Sequence, residues 1–384
     1  MEEKENKKSE NEQNSQKTMK DKFNEFMEKA RAFLSVKRNK IITIASGAAL
    51  VCLIVILIVC LTQCGSNNNN NSETTTSVTV PGDSSTSTSP SHSHTLKTYL
   101  DLNAETPTVK SVCTTCNETV STSPYSINAE FDSVYYGFYP QTHVSDPTLI
   151  EKLNAADINV NTICSLGGYD NYFISINAST CAMSSDESKY DDGSNIESGV
   201  RTWFTFDPVE WKILTSRGNG YNLLSMNALD AHVFSSVSNV NKYETSEIRS
   251  YLTGDFYSNL FRFGDNFITQ VSVDNSAATT SAPSSNPNAG DSTNDKIYLL
   301  SYADYNNTSY FANNEARVCK TTDYSRAKGA MLRDNYSASY WTRSPSEYNY
   351  LSCYVHSSGE VSDGASPTSP FYAIRPAITI SVGI

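Results

Sequence analysis

The run Ile41 to Leu61 carries no charged residue, while Lys37, Arg38 and Lys40 crowd its N-terminal side and no further Lys or Arg occurs before Lys97. As a helix rising 1.5 Å per residue, such a run is about 30 Å long, the hydrocarbon thickness of a bilayer. Eleven Lys and Arg precede it, and the basic flank of a span stays in the cytoplasm. The expectation is a single-pass protein of the cell membrane, with a cytoplasmic N-terminus and an extracytoplasmic C-terminal domain. A cleaved secretory signal has a short basic head and a core of about 7–15 apolar residues, which the forty-residue polar segment upstream does not resemble. Leu61-Thr62-Gln63-Cys64 is distantly like a lipobox, but Gln63 stands where a small residue is needed.

Charge divides at the span. Residues 1–40 hold eleven basic and eight acidic groups, whereas residues 65–384 hold eighteen basic and thirty-three acidic ones, net −15. No basic stripe is available to neutralise phosphates, so nucleic acid is excluded as a partner of the C-terminal part. Of nine cysteines, Cys52, Cys60 and Cys64 belong to the span or its edge. Six remain, Cys113, Cys116, Cys164, Cys181, Cys319 and Cys353, enough for three disulfides in fifteen connectivities. Cys164 with Cys181 is the preferred local pair, closing a loop worth about 3 kcal/mol in the chain-entropy model. Cys113-x-x-Cys116 has redox or half-zinc spacing, but no second Cys or His pair accompanies it, and a structural or free-thiol role is the simpler reading.

Along the chain, Phe23, Phe26, Met27, Ala30, Phe33 and Leu34 form one apolar face of a helix over 19–38, within the cytoplasmic tail of residues 1–40. Lying on the inner membrane surface is its simplest role, and docking a cytoplasmic partner the sharper one. The span at 41–61 is followed by a disordered Asn/Ser/Thr stalk at 65–95, a short Cys-containing lead-in at 96–130 and one domain from 131 to 384. Within that domain, strands are expected at Val134–Pro140, Phe173–Ile176, Thr202–Phe206, Val209–Leu214, Tyr221–Ser225, Ile297–Leu300, Tyr340–Trp341 and Ala373–Val382. The Val209–Leu214 and Tyr221–Ser225 pair turns at Arg217–Gly220, and another hairpin turns at Ser358-Gly359. Asp146-Pro147 opens a short helix, Thr245 caps one that Gly254 interrupts, another short helix lies near Ala303, and Asp274–Asp295 is a long loop. Strands mixed with few helices and no βαβ alternation predict an α+β fold.

Seven collinear segments resemble a bacterial domain of unknown function, number 6273, found in exported or membrane-anchored proteins chiefly of Firmicutes. They are Tyr136–Thr142, Pro208–Leu214, Leu223–Asp230, Ser246–Leu252 with Phe256-Tyr257, Asp295–Ser301, Trp341–Pro345 and Ile374–Ala377. This chain departs from the pattern by insertions at Ser145–Val200 and Asp274–Asp295, and by Tyr-Trp-Thr-Arg where a double aromatic before Leu-Arg is commoner. Trp341-x-Arg343-Ser344 followed by a Gly-centred hairpin and an Arg-Pro strand is also similar to C-type-lectin-like and formylglycine-generating-enzyme-type domains. That likeness implies a C-type-lectin-like mixed domain whose long loops carry ligands. It does not carry over calcium-dependent sugar binding, because Glu-Pro-Asn and Trp-Asn-Asp are missing, nor cysteine oxidase chemistry.

Arg343 and Arg375, the hallmark charges of the resemblance, either recognise a carboxylate or phosphate or lie buried against backbone carbonyls or a carboxylate such as Glu210; burial is the preferred reading. With Trp341 and Glu210 they make the candidate ligand-binding set. Asp186, Glu187, Asp191, Asp192, Asn195 and Glu197 gather around Gly193. Asp191, Asp192, Asn195 and Glu197 are the candidate Ca²⁺ ligands, against the simpler reading of a solvated acidic loop, since the spacing is not that of an EF-hand. No cofactor is otherwise implied. No hydrolase, metalloprotease, phosphate-loop or dinucleotide motif occurs, and His143, His232 and His356 are scattered. The twenty-three tyrosines could offer stacking platforms to sugars or peptides, though half-buried strand positions are the commoner use. The leading expectation is a cell-surface binding protein presenting this domain to glycan, cell-wall or protein ligands, with loops Asp186–Glu197 and Asp274–Asp295 as the contact surface. The alternatives are an enzyme acting on envelope or glycan substrates, should Glu210, His232, Arg343 and His356 share one cleft, and a transmembrane sensor with the 19–38 helix as its output.

Overall fold

The structure, a computed structural model, describes residues 95–184, 188–333 and 335–383. The helix expected over 19–38, the apolar span at 41–61 and the Asn/Ser/Thr stretch up to residue 94 lie outside the described residues, as do Asp186 and Glu187. Among the described residues no helix is long and apolar enough to cross a membrane.

In chain order the first strands are β1 Leu96–Asp101, β2 Thr108–Cys113, β3 Thr119–Pro124, β4 Ser133–His143, β5 Cys164–Ser165, β6 Tyr172–Asn177, β7 Arg201–Arg217, β8 Gly220–Ser225 and β9 Asp230–Ala231. Then come β10 Val271–Val273, β11 Thr293–Asp295, β12 Ile297–Tyr298, β13 Leu332–Arg333, β14 Ser337–Ala338, β15 Tyr340–Pro345, β16 Ser352–Val355, β17 Val361–Ala365, β18 Ala373–Ile374 and β19 Ala377–Ser381. The α-helices are short: α1 Pro147–Ala155, α2 Glu247–Tyr251, α3 Tyr257–Leu260, α4 Tyr302–Tyr305 and α5 Asp323–Ala327. A ten-stranded sheet follows the order β12-β19-β8-β7-β4-β1-β2-β3, with β6 on β7 and β5 on β6. A second sheet runs β17-β16-β15-β18-β9, and β10–β11 and β13–β14 are separate two-stranded ribbons. The mixture is sheet-rich with few helices, in keeping with α+β.

Local chemistry explains most elements. The Asp146 carboxylate accepts from the Thr148 and Leu149 amides, and Pro147 occupies the first turn of α1. Gly218 at φ +60° and Asn219 turn β7 into β8, whose ladder begins at Arg217 opposite Gly220. Ser246, one residue beyond the expected Thr245, caps α2 by accepting from the Arg249 amide. Gly254, at φ −103° and ψ −106°, kinks the helical segment as its position predicts.

Three expectations about the strands change. Thr202–Phe206 and Val209–Leu214 are one strand, β7, running through Asp207-Pro208. Pro208 has no N–H to give, and the β4–β7 register shifts on both sides of the Phe138–Pro208 pair, so irregularities absorb the proline. Ala373–Val382 is two strands, because Arg375-Pro376 breaks it: β18 joins β9 and β15 in the smaller sheet, while β19 joins β8 and β12 in the larger. The 96–130 lead-in is a meander of β1, β2 and β3, with β1 parallel to β4 and Leu100, Leu102 and Val109 in the main core.

The expected Cys164–Cys181 disulfide is not formed; both are free, as are Cys319 and Cys353. Cys164 pairs across the ladder with Phe173 near the start of β6. Cys181 is buried in the segment that follows the far end of that strand at Asn177.

All three tryptophans are buried with their indole N–H groups satisfied. Trp203 donates to Asn154 Oδ1, Trp211 to the Tyr136 carbonyl and Trp341 to the His232 carbonyl, each at 2.8 Å.

Candidate binding surface

The residues named from the sequence do not converge. Trp341 is sealed in the core. Arg343 on β15 is buried and donates to Asp304 Oδ2 at 2.7 Å, to the Leu299 carbonyl at 3.0 Å and twice to the Asp274 carbonyl. Its carboxylate partner is therefore Asp304 and not Glu210. Burial works against ionisation of Asp304, yet Arg343 and the Ser301 amide and hydroxyl outweigh it and hold the carboxyl below the usual range. Arg375 is buried without a carboxylate, donating to the Ser225 and Arg317 carbonyls, both at 3.0 Å, and to the Tyr340 hydroxyl at 3.1 Å. Both arginines tie distant segments together from inside.

Glu210 is different. It sits on β7 with a side chain 21% exposed, accepts from the Tyr135 hydroxyl at 2.9 Å, pairs with Lys97 and borders a cavity of about 200 Å³. His232 has another setting, its ring stacked on Tyr251 at 4.4 Å and its Nδ1 at 2.8 Å from the Val233 carbonyl. His356 Nδ1 faces Ser358 Oγ in the β16–β17 turn. Among the described residues, Glu210, His232, Arg343 and His356 thus hydrogen-bond into separate networks with no shared partner.

In the acidic loop, Asp191 pairs with Arg326, which also pairs with Asp323. Asp192 accepts from the Ser194 amide and hydroxyl and faces His143 Nδ1 at 3.0 Å. Asn195 and Glu197 are exposed. Among the described residues no group of three or more His, Cys, Asp and Glu side chains is placed to hold a metal ion.

What the fold does present is the tip between β15 and β16. Tyr348 and Tyr350 are 52% and 55% exposed, with ring centroids 5.7 Å apart. The tip is closed by the Ser346 amide donating to the Leu351 carbonyl, and it is braced from below by three asparagines. Asn241 Nδ2 reaches the Ser346, Tyr348 and Leu351 carbonyls at 3.3, 3.0 and 2.7 Å. Asn286 Nδ2 donates to the Pro345 carbonyl, and Asn288 Nδ2 to those of Ser346 and Glu347. Asn286 and Asn288 come from the Asp274–Asp295 loop, which serves here as a support beneath the tip. Exposed aromatic rings on a hydrogen-bonded loop lose little conformational freedom when a ligand stacks on them. The tyrosines alternate with polar residues in Ser346-Glu-Tyr-Asn-Tyr350, and that alternation in a turn was the available signal.

Residues 219–382 match a family model described as a domain of unknown function (DUF6273). The match takes in β8 through β19 and with them the Tyr348–Tyr350 tip and all three bracing asparagines. The DUF6273 match does not reach Tyr136–Thr142 or Pro208–Leu214, so Glu210 and its cavity wall on β4 and β7 lie outside it. No curated protein and no solved structure matches the chain.

Proposed function

We propose that this chain is a membrane-anchored surface protein whose extracytoplasmic, C-type-lectin-like domain binds neutral glycan of the cell envelope on the Tyr348–Tyr350 platform. The observation that carries this reading is the pair of half-exposed tyrosines fixed by Asn241, Asn286 and Asn288. The apolar face of a pyranose ring stacks on a tyrosine, and the phenol hydroxyl hydrogen-bonds its rim. The net charge of −15 over residues 65–384 disfavours polyanionic ligands and leaves neutral ones. The separate networks of Glu210, His232, Arg343 and His356 favour a binder over an enzyme assembled from those four.

The test is binding of the full chain, solubilised in mild detergent, to an array of envelope glycans and peptidoglycan fragments. Saturable binding that falls about tenfold or more in Tyr348→Ala/Tyr350→Ala, with thermal stability unchanged, supports the platform. Undiminished binding in that variant refutes it. Protease added to intact cells should remove the domain while sparing residues 1–40; protection of the domain would refute the topology.

A further inference from the structure

We infer that the cavity beside Glu210 is a subsite for one neutral sugar ring. The inference takes its ligand class from the glycan reading above but uses none of the platform residues. The cavity holds about 200 Å³ where β4, β7 and the segment between β8 and β9 meet, and its lining includes Tyr135, Gln141, Pro208, Glu210, Asn227 and Leu229. Sites for drug-sized ligands run to about 300–1,000 Å³, so this one suits a single ring and not a chain.

The lining selects by charge. Glu210 is paired with Lys97, which does not itself line the space. An anion would find no Lys or Arg in the wall and would meet the Glu210 carboxylate. A cation would have to displace Lys97. What remains is a neutral ligand rich in hydroxyls.

The polar groups suit such a ligand. Glu210 Oε2 already accepts from Tyr135 and, like any carboxylate oxygen, keeps a second lone pair. The Gln141 amide nitrogen is engaged with the Asp207 and Pro208 carbonyls at 2.9 and 3.1 Å, which leaves its oxygen as an acceptor. Asn227 is exposed, and its side-chain amide makes no hydrogen bond among the described residues, so it offers both a donor and an acceptor. Two acceptors for ligand hydroxyls, one amide that can answer either way, and the apolar surfaces of Pro208 and Leu229 for ring C–H groups make up a sugar-sized recognition set.

The experiment titrates the full chain, in mild detergent, with glucose, galactose, mannose and N-acetylglucosamine, and with inorganic phosphate and methylammonium as charged controls, followed by saturation-transfer NMR. At least one neutral sugar is expected to bind saturably near the millimolar range, and the two ions are not. Asn227→Ala and Glu210→Gln should each weaken that binding about fivefold, the worth of one hydrogen bond, at unchanged melting temperature. Tyr348→Ala/Tyr350→Ala should leave it intact. Loss in the tyrosine variant with retention in the cavity variants would assign the sugar to the platform and overturn the cavity. No binding by any of the four sugars up to about 50 mM would overturn the subsite and leave the platform, which is read with longer glycans, to stand or fall separately.

Discussion

The hydroxyl of Tyr139 donates to the buried carboxylate of Asp230 at 2.6 Å, and Tyr251 adds a second hydroxyl to the same oxygen at 2.7 Å. Asp230 Oδ1 accepts from the Ala231 amide, with Lys328 Nζ at 3.9 Å. One carboxylate thereby joins β4 of the large sheet, β9 of the small one, helix α2 and Lys328 just past the end of α5. Burial, followed by the negative charge of Asp230, pushes the Tyr139 phenol well above its ordinary range, so it stays a donor. Asp230→Ala should destabilise the domain by about 3 kcal/mol and Tyr139→Phe by about 2 kcal/mol, read as urea midpoints at constant slope. A shift under 0.5 kcal/mol for Asp230→Ala, the ordinary range of a surface change, would show that the carboxylate is not a tie.

The Arg343–Asp304 pair gives the domain an acid limit. The folded-state pKa of Asp304 lies below the ordinary value of about 3.9, so its contribution is complete above that value and is lost as pH falls through the folded pKa. The stability gap between the parent chain and Asp304→Asn should be constant from pH 7 down to about 5 and close below about 4. A gap that widens on acidification contradicts the assignment.

Gly359 turns β16 into β17 at φ +81°, and a Cβ there would lie 1.8 Å from the Asn314 carbonyl oxygen. That oxygen is backbone, which cannot swing aside. Gly359→Ala should cost about 2–4 kcal/mol and lower the melting temperature by several degrees, whereas Gly364→Ala, with open space around it, should cost under about 1 kcal/mol.

Asn241 is buried and its amide nitrogen serves three carbonyls of the Ser346–Leu351 tip. Asn241→Ala should cost about 2 kcal/mol. It should also speed amide exchange at Leu351 and weaken the proposed glycan binding without removing either tyrosine. Unchanged exchange there would show the tip to be held by other contacts.

Burial pushes the Cys353 thiol up to about 12 and raises that of Cys319. At pH 8 both should resist alkylation in the native domain and react only after unfolding, as peptide mass spectrometry can follow. Rapid native labelling of Cys353 would mean that β15 and β16 open easily.

Local signals were readable where one or two residues decide the geometry. Asp146-Pro147 specifies a helix start, Gly218-Asn219 a hairpin and Gly254 a kink without reference to the rest of the chain. Pro376 marks a break that a proline within a strand run signals by itself, but that the two halves join different sheets was not readable, because β-forming residues stand on both sides and their partners are distant in sequence. The platform was hidden for a related reason. Whether Tyr348 and Tyr350 face solvent depends on Asn241, Asn286 and Asn288, which lie 58 to 110 residues away in sequence from the carbonyls they hold in the tip. Glu210 was named as a partner for the arginines, yet its partners are Lys97 and Tyr135, 113 and 75 residues distant. Pairings of that range are set by strand order, which hydrophobic periodicity does not encode.

The crossing at Pro376 also dictates a timetable. Strand β19 lies inside the large sheet between β8 and β12, and β18 lies inside the small one between β15 and β9. Both are made after every strand they join, so neither sheet can close while the ribosome still holds residues 373–381. A domain assembled this way completes both sheets in one late step, when its last two strands arrive.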